Sequence, residues 1–561
     1  MPGGLLSLVC FGNENIIING NPDITWFYKT FSRYTHFSQE PIQIPLDGPN
    51  LLLMDSPIVL KTKIPRQGDF LSDLTLRFTL PDIFSKAYIH QDHSGNYVLD
   101  RAYEFAWIRQ IGVRMIDTVT FTIGGQKIQE FNSDWICARA LLDSNNTTYG
   151  KWREMVGDVV ELFDPAQGVY ADPSGSGYPN VIGWRGTPIL PTPAQNSAPS
   201  IPGRIIRVPL GLWFSDYIGN SLPLVALQYH DCEVTIIMRP IRDLYTILDP
   251  NGVRLRNNVQ SLPYLQSDQY TSVWNPTVLG PLPPSLNNRY GSYTDISGAM
   301  RHFLTDISGG IPVNDGWPLN ATLEAVYSFV ESQEQLVYTK KTLRYNVRQM
   351  QNFIFSGINT RSSYRLDVHN IASRVVFFAR RSDTIPYRNQ PINLTNWMYV
   401  RQRPVAYPIG NAMPSTVLVH GVPVAIGRSG LNIPGLQRRI IRSAFITANG
   451  NQLFDSQDPA FFTTYVPYRY LKGDGVPFND YGLATQSEMW PLHTYSFALD
   501  GSHIEQPSGT LNMSRINKLE IDVDVEPIPV LANYTYELQV FVETLNFVEI
   551  SAGMGGLKFA K

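Results

Sequence analysis

The chain has little charge and almost no cysteine. Charged residues make up 17% of its 561 residues, against roughly a quarter in ordinary soluble domains, so much of its surface is expected to be hidden against other chains. A formal net charge of −3 offers no basic field for phosphate, and direct nucleic-acid binding is not expected. Cys10, Cys137 and Cys232 are far apart and form no CxxC pair, which implies neither a disulfide framework nor a zinc site and fits a reducing compartment. No apolar run approaches the roughly 20 residues that cross a bilayer, and the opening "MPGGLLSLVCFGNENIIING" lacks a basic n-region. The chain is therefore read as neither transmembrane nor secreted by that route. GxSxG, HExxH, P-loop and GxGxxG motifs are all absent, so the specific enzyme signatures are missing. "HQDH", His90 to His93, has no third or fourth partner at zinc spacing and reads as a solvated loop.

What the chain does have is strands. At 561 residues it exceeds the size at which a single core stops growing, so two or more cores are expected. "NKLEIDVDVEP" places Leu519, Ile521, Val523 and Val525 on one face and Glu520, Asp522, Asp524 and Glu526 on the other, a strict period of two. "YTYELQVFV" does the same with Tyr536, Leu538, Val540 and Val542, and "LSDLTLRFTLPDI", "HDCEVTIIMRP" and "SRVVFFARR" are further β-rich runs. Many short strands with regular turns point to sandwiches or barrels. "VTFTIGGQKIQE" and "AFITANGNQLFD" share a strand, a tight Gly turn and a second strand, with Gly125 aligning on Gly450. Both turns are hairpin signals, and the echo implies two similar sandwiches in tandem.

Pro and Gly crowd Asp172 to Gly203 and Asn275 to Ser292, long irregular stretches of the kind that form functional surface. In "NPDITWFYKTFSRYTHF", Asn21 as N-cap and Pro22 in the first turn predict a short helix. Helical spacing would put Phe27, Phe31 and Tyr34 on one side and Lys29, Arg33 and His36 nearly opposite. Such faces suit either a membrane surface or packing on the chain's own domain.

Asp500, Ser502, His503, Glu505 and Ser508 crowd "HTYSFALDGSHIEQPSGTLNMSR", the residue types from which a hydrolase builds a nucleophile. Asp-Gly and Pro-Ser-Gly are also turn formers, and a structural turn is the expected reading. The acidic stripe of Glu520 to Glu526 could hold a cation, but reads as a solvated face that resists edge pairing. Asn-x-Ser/Thr sequons fall at Asn145, Asn146, Asn320, Asn393, Asn512 and Asn533. Without a secretory signal most are chance matches; Asn145, Asn146, Asn320 and Asn393 remain as candidate glycan sites.

Four blocks carry a resemblance: "GGLLSLVCFGNENIIINGNPDITWFYKTFSRYTHFSQE", "SLPLVALQYHDCEVTI", "YSFALDGSHIEQPSGTLNMSRI" and "AGMGGLKF", in this order. Together they resemble the major capsid proteins of nucleocytoplasmic large DNA viruses. The resemblance implies an all-β fold of two tandem eight-stranded jelly rolls, with a terminal arm at 1–40, the first jelly roll at 41–245, a linker at 246–319 and the second jelly roll at 320–561. It makes Tyr495, Phe497, Gln506, Pro507, Ser508, Gly509, Gly553, Gly555 and Gly556 structural, and gives the arm residues Phe27, Lys29, Phe31, Arg33 and Tyr34 a role in assembly. It implies homotrimeric capsomers tiling an icosahedral virion with neighbouring capsomers, minor capsid proteins and a penton, above an inner membrane. Assembly is expected in the host cytoplasm, with no cofactor, metal or catalysis. The linker is longer than many relatives carry, and "YSFVESQEQLVYTKKTLRY" lacks an arginine-rich run common at that point. A minor capsid or vertex protein of the same fold is the second rival, and the main one is a carbohydrate-binding or carbohydrate-processing sandwich. The latter would need two convergent carboxylates or an aromatic platform in one cleft.

Overall fold

A computed structural model describes residues 3–85, 87–91, 97–102, 104–171, 178–179, 198–248, 254–256, 300–304, 314–382, 393–396, 416–419, 422–425, 439–473, 492–502, 505–528 and 534–559. Two sandwiches are built from strands in the same order. In the first, β1 (Phe37–Pro45), β8 (Thr322–Val330) and β3 (Phe70–Leu80) pair in that sequence, with β6 (Arg204–Pro209) on the far side of β3. Facing them is a sheet in the order β2 (Ile58–Lys63), β7 (Cys232–Met238), β4 (Ile116–Ile123), β5 (Gln126–Asn132). The second sandwich repeats both orders. One sheet runs β9 (Leu343–Ile358), β16 (Tyr536–Ser551), β11 (Ile371–Arg381), β14 (His493–Ser496); the other runs β10 (Ser362–Leu366), β15 (Leu519–Val525), β12 (Ile441–Ala448), β13 (Asn451–Gln452). First beside eighth and second beside seventh is the jelly-roll wrapping expected from the strand-rich sequence.

The GG and NG turns are where the echo placed them. Gly124 and Gly125 have φ of 56° and 80°, and Asn449 and Gly450 have 50° and 83°. Positive φ at both central residues gives the turn that matches strand twist, and each turn joins the fourth and fifth strands of its sandwich. The alternation in β15 is equally faithful: Leu519, Ile521, Val523 and Val525 are buried, and the acids between them half-buried. Glu520 meets Lys518 at 2.8 Å, and Glu526 lies 3.8 Å from Arg442.

Three expectations need correction. Thr322–Val330, assigned to the second jelly roll, is the eighth strand of the first: it pairs with β1 on one side and β3 on the other. The long stretch taken as an interdomain linker is thus an insertion between the seventh and eighth strands. The true connection is α5 (Ser332–Lys340). The first sandwich also begins earlier than residue 41, because Phe37 to Glu40 already pair with Val330 to Tyr327. Third, there is no helix from Asn21. The arm instead carries α1 (Gly3–Val9) and α2 (Asn13–Asn19), and α2 is capped by Gly20. Asn21 has φ of 49°, a left-handed residue that ends a helix and cannot serve as an extended N-cap, and Pro22 follows as a stop. The same dipeptide that signals a start after a loop signals an end after a helix.

Asp47 and Lys61 form an antiparallel bridge between the ends of β1 and β2, so successive strands alternate in direction. The connections after the first, third, fifth and seventh strands therefore leave one end of each sandwich. The chain termini and α5 belong to the other end. There the closing strand β17 (Met554–Leu557) pairs with β16 and touches the first sandwich.

Candidate functional site: the seam between the sandwiches

The β9–β16–β11–β14 sheet is apolar on both faces. Val375, Phe377, Val540 and Val542 point into the second core, whereas Val376, Phe378 and Phe541 join the core of the first sandwich. Helix α3 (Ser133–Asp143), N-capped by Asn132, lies across this outer face with Trp135 edge-on to Phe541 at 5.4 Å. Each such buried side chain contributes about 1.5–3 kcal/mol, and the shared core makes the two sandwiches one body.

Charge is buried in the same seam. The first sandwich supplies Arg139, Asp143 and Asp216; the second supplies Arg348, Arg374 and Glu543. Arg374, fully buried, donates to Asp143 at 2.6 and 2.9 Å and to Glu543 at 2.9 and 3.2 Å. Arg348 lies 3.3 Å from Glu543, 3.4 Å from Asp143 and 3.6 Å from Asp216. Arg139 pairs with Asp216 and stands 3.7 Å from Asp143. Ser373 donates to Glu543 at 3.0 Å. Three cations face three anions, so the cluster is neutral. Burial alone would raise the Asp143 and Glu543 carboxyls, but the Arg374 and Arg348 guanidiniums hold both below the ordinary range.

The suspected nucleophile stretch is wired into this seam. Ser502 donates to Asp143 at 3.1 Å and accepts from the Lys472 amide at 3.1 Å. Ser508 accepts from the Asp500 amide at 2.9 Å and donates to its carbonyl at 3.1 Å. These bonds hold a turn and an interdomain contact; His503 lies outside the described residues. Tyr495 stacks on Phe454 at 4.5 Å and stands edge-on to Phe497 at 5.2 Å. Gly509, at φ 148°, leaves no room for a Cβ, which would lie 2.9 Å from the Phe497 carbonyl. Gln506 and Pro507 are exposed. Burial pushes the Cys137 and Cys232 thiols up to about 12, which suits packing and not nucleophilic attack.

The C-terminal block forms a second clamp. The Tyr229 amide donates to Gly553 O at 2.9 Å, and the Leu557 amide donates to Gln126 at 3.1 Å. His230 Nδ1 lies 2.9 Å from Gly555 O and 3.2 Å from its amide. A Cβ would meet Tyr229 at 2.6 Å from Gly553, Leu227 at 2.8 Å from Gly555 and Gln126 at 2.8 Å from Gly556. The positive φ of Gly553 and the Tyr229 ring against it favour glycine there, while at Gly555 and Gly556 the backbone packs against the side chains of Leu227 and Gln126.

Among the described residues the arm has no such partner. Phe27, Phe31 and Tyr34 are exposed at 99%, 83% and 87%, and Lys29 and Arg33 are exposed beside them, so the arm has no opposed faces. Among the sequons, Asn145 caps the helix α4 (Asn146–Met155) by accepting from the Thr148 amide at 2.9 Å. Asn145, Asn146 and Asn320 are exposed. Asn393 is fully buried, and its Oδ1 accepts from Thr395, which removes it as a glycan site. Asn512 caps a short turn by accepting from the Ser514 amide, and Asn533 lies outside the described residues. "HQDH" begins on a strand, Ala87–Gln91, and runs beyond the described residues. A groove of about 830 Å³ runs along the seam, lined mainly by amides, with Asp117, Glu130 and Asp134 among its charged groups. Its aromatics are Phe131, which is buried, and Phe559, so it offers no stacking platform for sugars.

The residues of the charge cluster escaped the sequence reading. One signal was available: "SRVVFFARR" and "YELQVFVETLNFV" are apolar on both faces, and a charge inside such a run must be paired.

Two family profiles match the chain, "Major capsid protein N-terminus" over residues 25–275 and "Large eukaryotic DNA virus major capsid protein" over 333–556. "Probable capsid protein 4" of Acanthamoeba polyphaga mimivirus is 22% identical over 100% of this chain and 99% of its own length. The "Major capsid protein" of Chrysochromulina ericina virus is 23% identical over the full length of both. Among solved structures, the Faustovirus major capsid protein superposes with a TM-score of 0.58 at 13% identity, covering 98% of this chain and 96% of that one. The PBCV-1 virus capsid subunit gives 0.56 at 18%, over 96% and 100%. With two jelly rolls in tandem, three of the four expected blocks joined across their seam and the two profiles matching residues 25–275 and 333–556, the chain belongs to the major capsid proteins of large eukaryotic DNA viruses.

Proposed function

We propose that three copies of this chain close into a cyclic, pseudo-hexagonal tile, and that such tiles pack edge to edge into the icosahedral shell of a virion. The observation that carries this reading is the seam: two sandwiches of one topology are locked into a rigid pair by a shared core and a neutral buried cluster. A rigid pair is one third of a six-lobed ring. Function is shape and self-complementarity, with no turnover and no cofactor. Minor capsid proteins and a penton at the vertices complete the shell, nucleic acid is not contacted, and assembly takes place in the host cytoplasm.

The arm, with Trp26 and Phe27 exposed at 96% and 99%, carries more apolar surface than a soluble monomer leaves in water. It docks on the inner layer, on membrane lipid or a minor protein, through Phe27, Phe31 and Tyr34 with Lys29 and Arg33 beside them. The long connections at 143–203 and 249–320 face outward or meet neighbouring subunits, and Asn145, Asn146 and Asn320 are the asparagines open to glycans. Light scattering at micromolar concentration tests the tile: a trimer is expected, with a hexagonal outline in negative stain, and a stable monomer would refute it.

A further inference from the structure

The groove along the seam is bounded by main chain as well as by side chains. All of β5, Gln126 to Asn132, lines it, and so do the consecutive residues Gln349 to Asn352 of β9. Successive residues of a strand point to opposite faces, so the groove opens on the edges of these strands. Each is the outermost strand of its sheet. Gln129 Nε2 donates to Arg348 O at 2.6 Å, and Gln349 Nε2 donates to Ile128 O at 2.7 Å. Carbonyls of both edges therefore point into the gap and accept amide N–H groups there. Every second residue of β9 repeats the direction of Arg348, which aims the main-chain N–H and C=O of Met350, Asn352 and Ile354 at the groove. Among the described residues no strand pairs with that edge. We infer that an extended, uncharged segment of another protein adds to this edge as a strand, using β9 as its template and the amides of β5 as the opposite wall.

Long sheet edges are ordinarily blunted by charge or proline. The edge strand β1 has Glu40, Pro41 and Pro45, and β2 has Lys61 and Lys63. From Gln349 to Ile358, β9 has neither, and its Ile354 is 51% exposed. A buried acceptor stands beside it. Gln539, directly opposite Ile354 in the ladder, is 1% exposed; its Nε2 donates to Asn352 at 3.2 Å, and its Oε1 has no partner among the described residues. An unpaired buried acceptor costs free energy that a ligand N–H recovers. The charges of the groove cancel among themselves: Lys127 meets Glu130 at 2.8 Å, Arg239 lies 3.3 Å from Asp117, and Arg380 lies 3.5 Å from Asp134. A neutral groove of amides and free main chain matches a peptide backbone and gives a charged ligand nothing to pair with. At roughly 3.3 Å per residue, β5 offers about 23 Å of wall, room for about seven extended residues.

The tile reading supplies only the source of the segment, another protein of the shell, and the groove is tested without it. The probe is an acetylated and amidated heptapeptide, Thr-Asn-Val-Thr-Val-Asn-Thr, added to the purified full-length chain and followed by titration calorimetry. Saturable binding is expected. The same peptide N-methylated at every residue keeps its side chains but loses its main-chain donors, and should not bind. Ile354→Lys and Gln539→Leu should each weaken binding about tenfold, the effect of one edge charge or one lost hydrogen bond. Gln539→Leu should not lower the Tm of the free chain, whereas a purely structural glutamine would. No saturable binding to wild type, or equal binding of the N-methylated peptide, which needs no variant to fold, would overturn the inference. Displacement of the probe by a synthetic arm peptide, residues 13–36, would overturn it too, by assigning the groove to a second copy of this chain. A monomeric wild type refutes the tile and leaves the result at the groove standing.

Discussion

The sheets β1–β8–β3–β6 and β9–β16–β11–β14 have one topology and two fates. In the second, residues pointing away from its own core are fully buried, Phe541 at 0% and Glu543 at 1%. In the first, the corresponding strand β8 alternates: Leu323, Ala325 and Tyr327 are buried, while Thr322, Glu324 and Val326 are half-exposed. The sequences say so directly, since "TLEAVYS" alternates and "LQVFVET" does not. A strand's pattern thus reports how many neighbours its sheet has among the described residues.

The sharpest break in this comparison is to remove the equivalent glutamates. Glu543→Ala should destabilise the chain by about 3–5 kcal/mol, because three buried guanidiniums would then face only Asp143 and Asp216. Glu324→Ala should cost under about 1 kcal/mol in the isolated chain, where water reaches the site. Chemical denaturation of both variants checks the contrast, and equal losses would contradict it. Acid comes next. Asp143 and Glu543 have depressed folded pKa values, so between their unfolded values of about 4 and their lower folded ones the unfolded state binds more protons and stability rises with pH. The seam's contribution is complete above that window and is lost as pH falls through the folded values. Thermal melts from pH 5 to pH 2 should show this loss, and Glu543→Gln should flatten it.

Smaller is Gly553→Ala, at φ 79° beside Tyr229, which should cost about 1–2 kcal/mol from the left-handed backbone alone. Its Tm should fall further below wild type than that of Gly450→Ala, whose Cβ meets nothing. Smallest is Lys29→Glu with Arg33→Glu in the arm. Stability should change by under about 0.5 kcal/mol, while binding to the inner layer, read by co-sedimentation with anionic vesicles or minor proteins, should weaken.

The strands, the two hairpin turns and the motif blocks were legible because they depend on near neighbours. Leu519 to Val525 alternate within seven residues, and Asn449-Gly450 carries its own turn geometry. The eighth strand of the first sandwich was not legible as such. Thr322–Val330 looks like any alternating strand, and only pairing with β1 and β3, across an insertion from Met238 to Thr322, assigns it. The Asn21 helix failed because a cap is defined by what precedes it, and α2 already ends at Gly20. In the seam, Asp143, Arg348 and Glu543 come from three distant stretches, and no local pattern brings them together. The glycines of "AGMGG" stood out as a block, but their reason, backbone against Tyr229, Leu227 and Gln126, lies in the other sandwich.

The alternation of strand direction has an evolutionary consequence. Every connection after an odd-numbered strand opens at the same end, away from both termini, α5 and the β17 clamp. Sequence inserted there lengthens one pole of the molecule without crossing the other, so variation and fixed register are assigned to opposite ends. A segment such as the one between Met238 and Thr322 can change in length there without disturbing the β17 clamp at the opposite end.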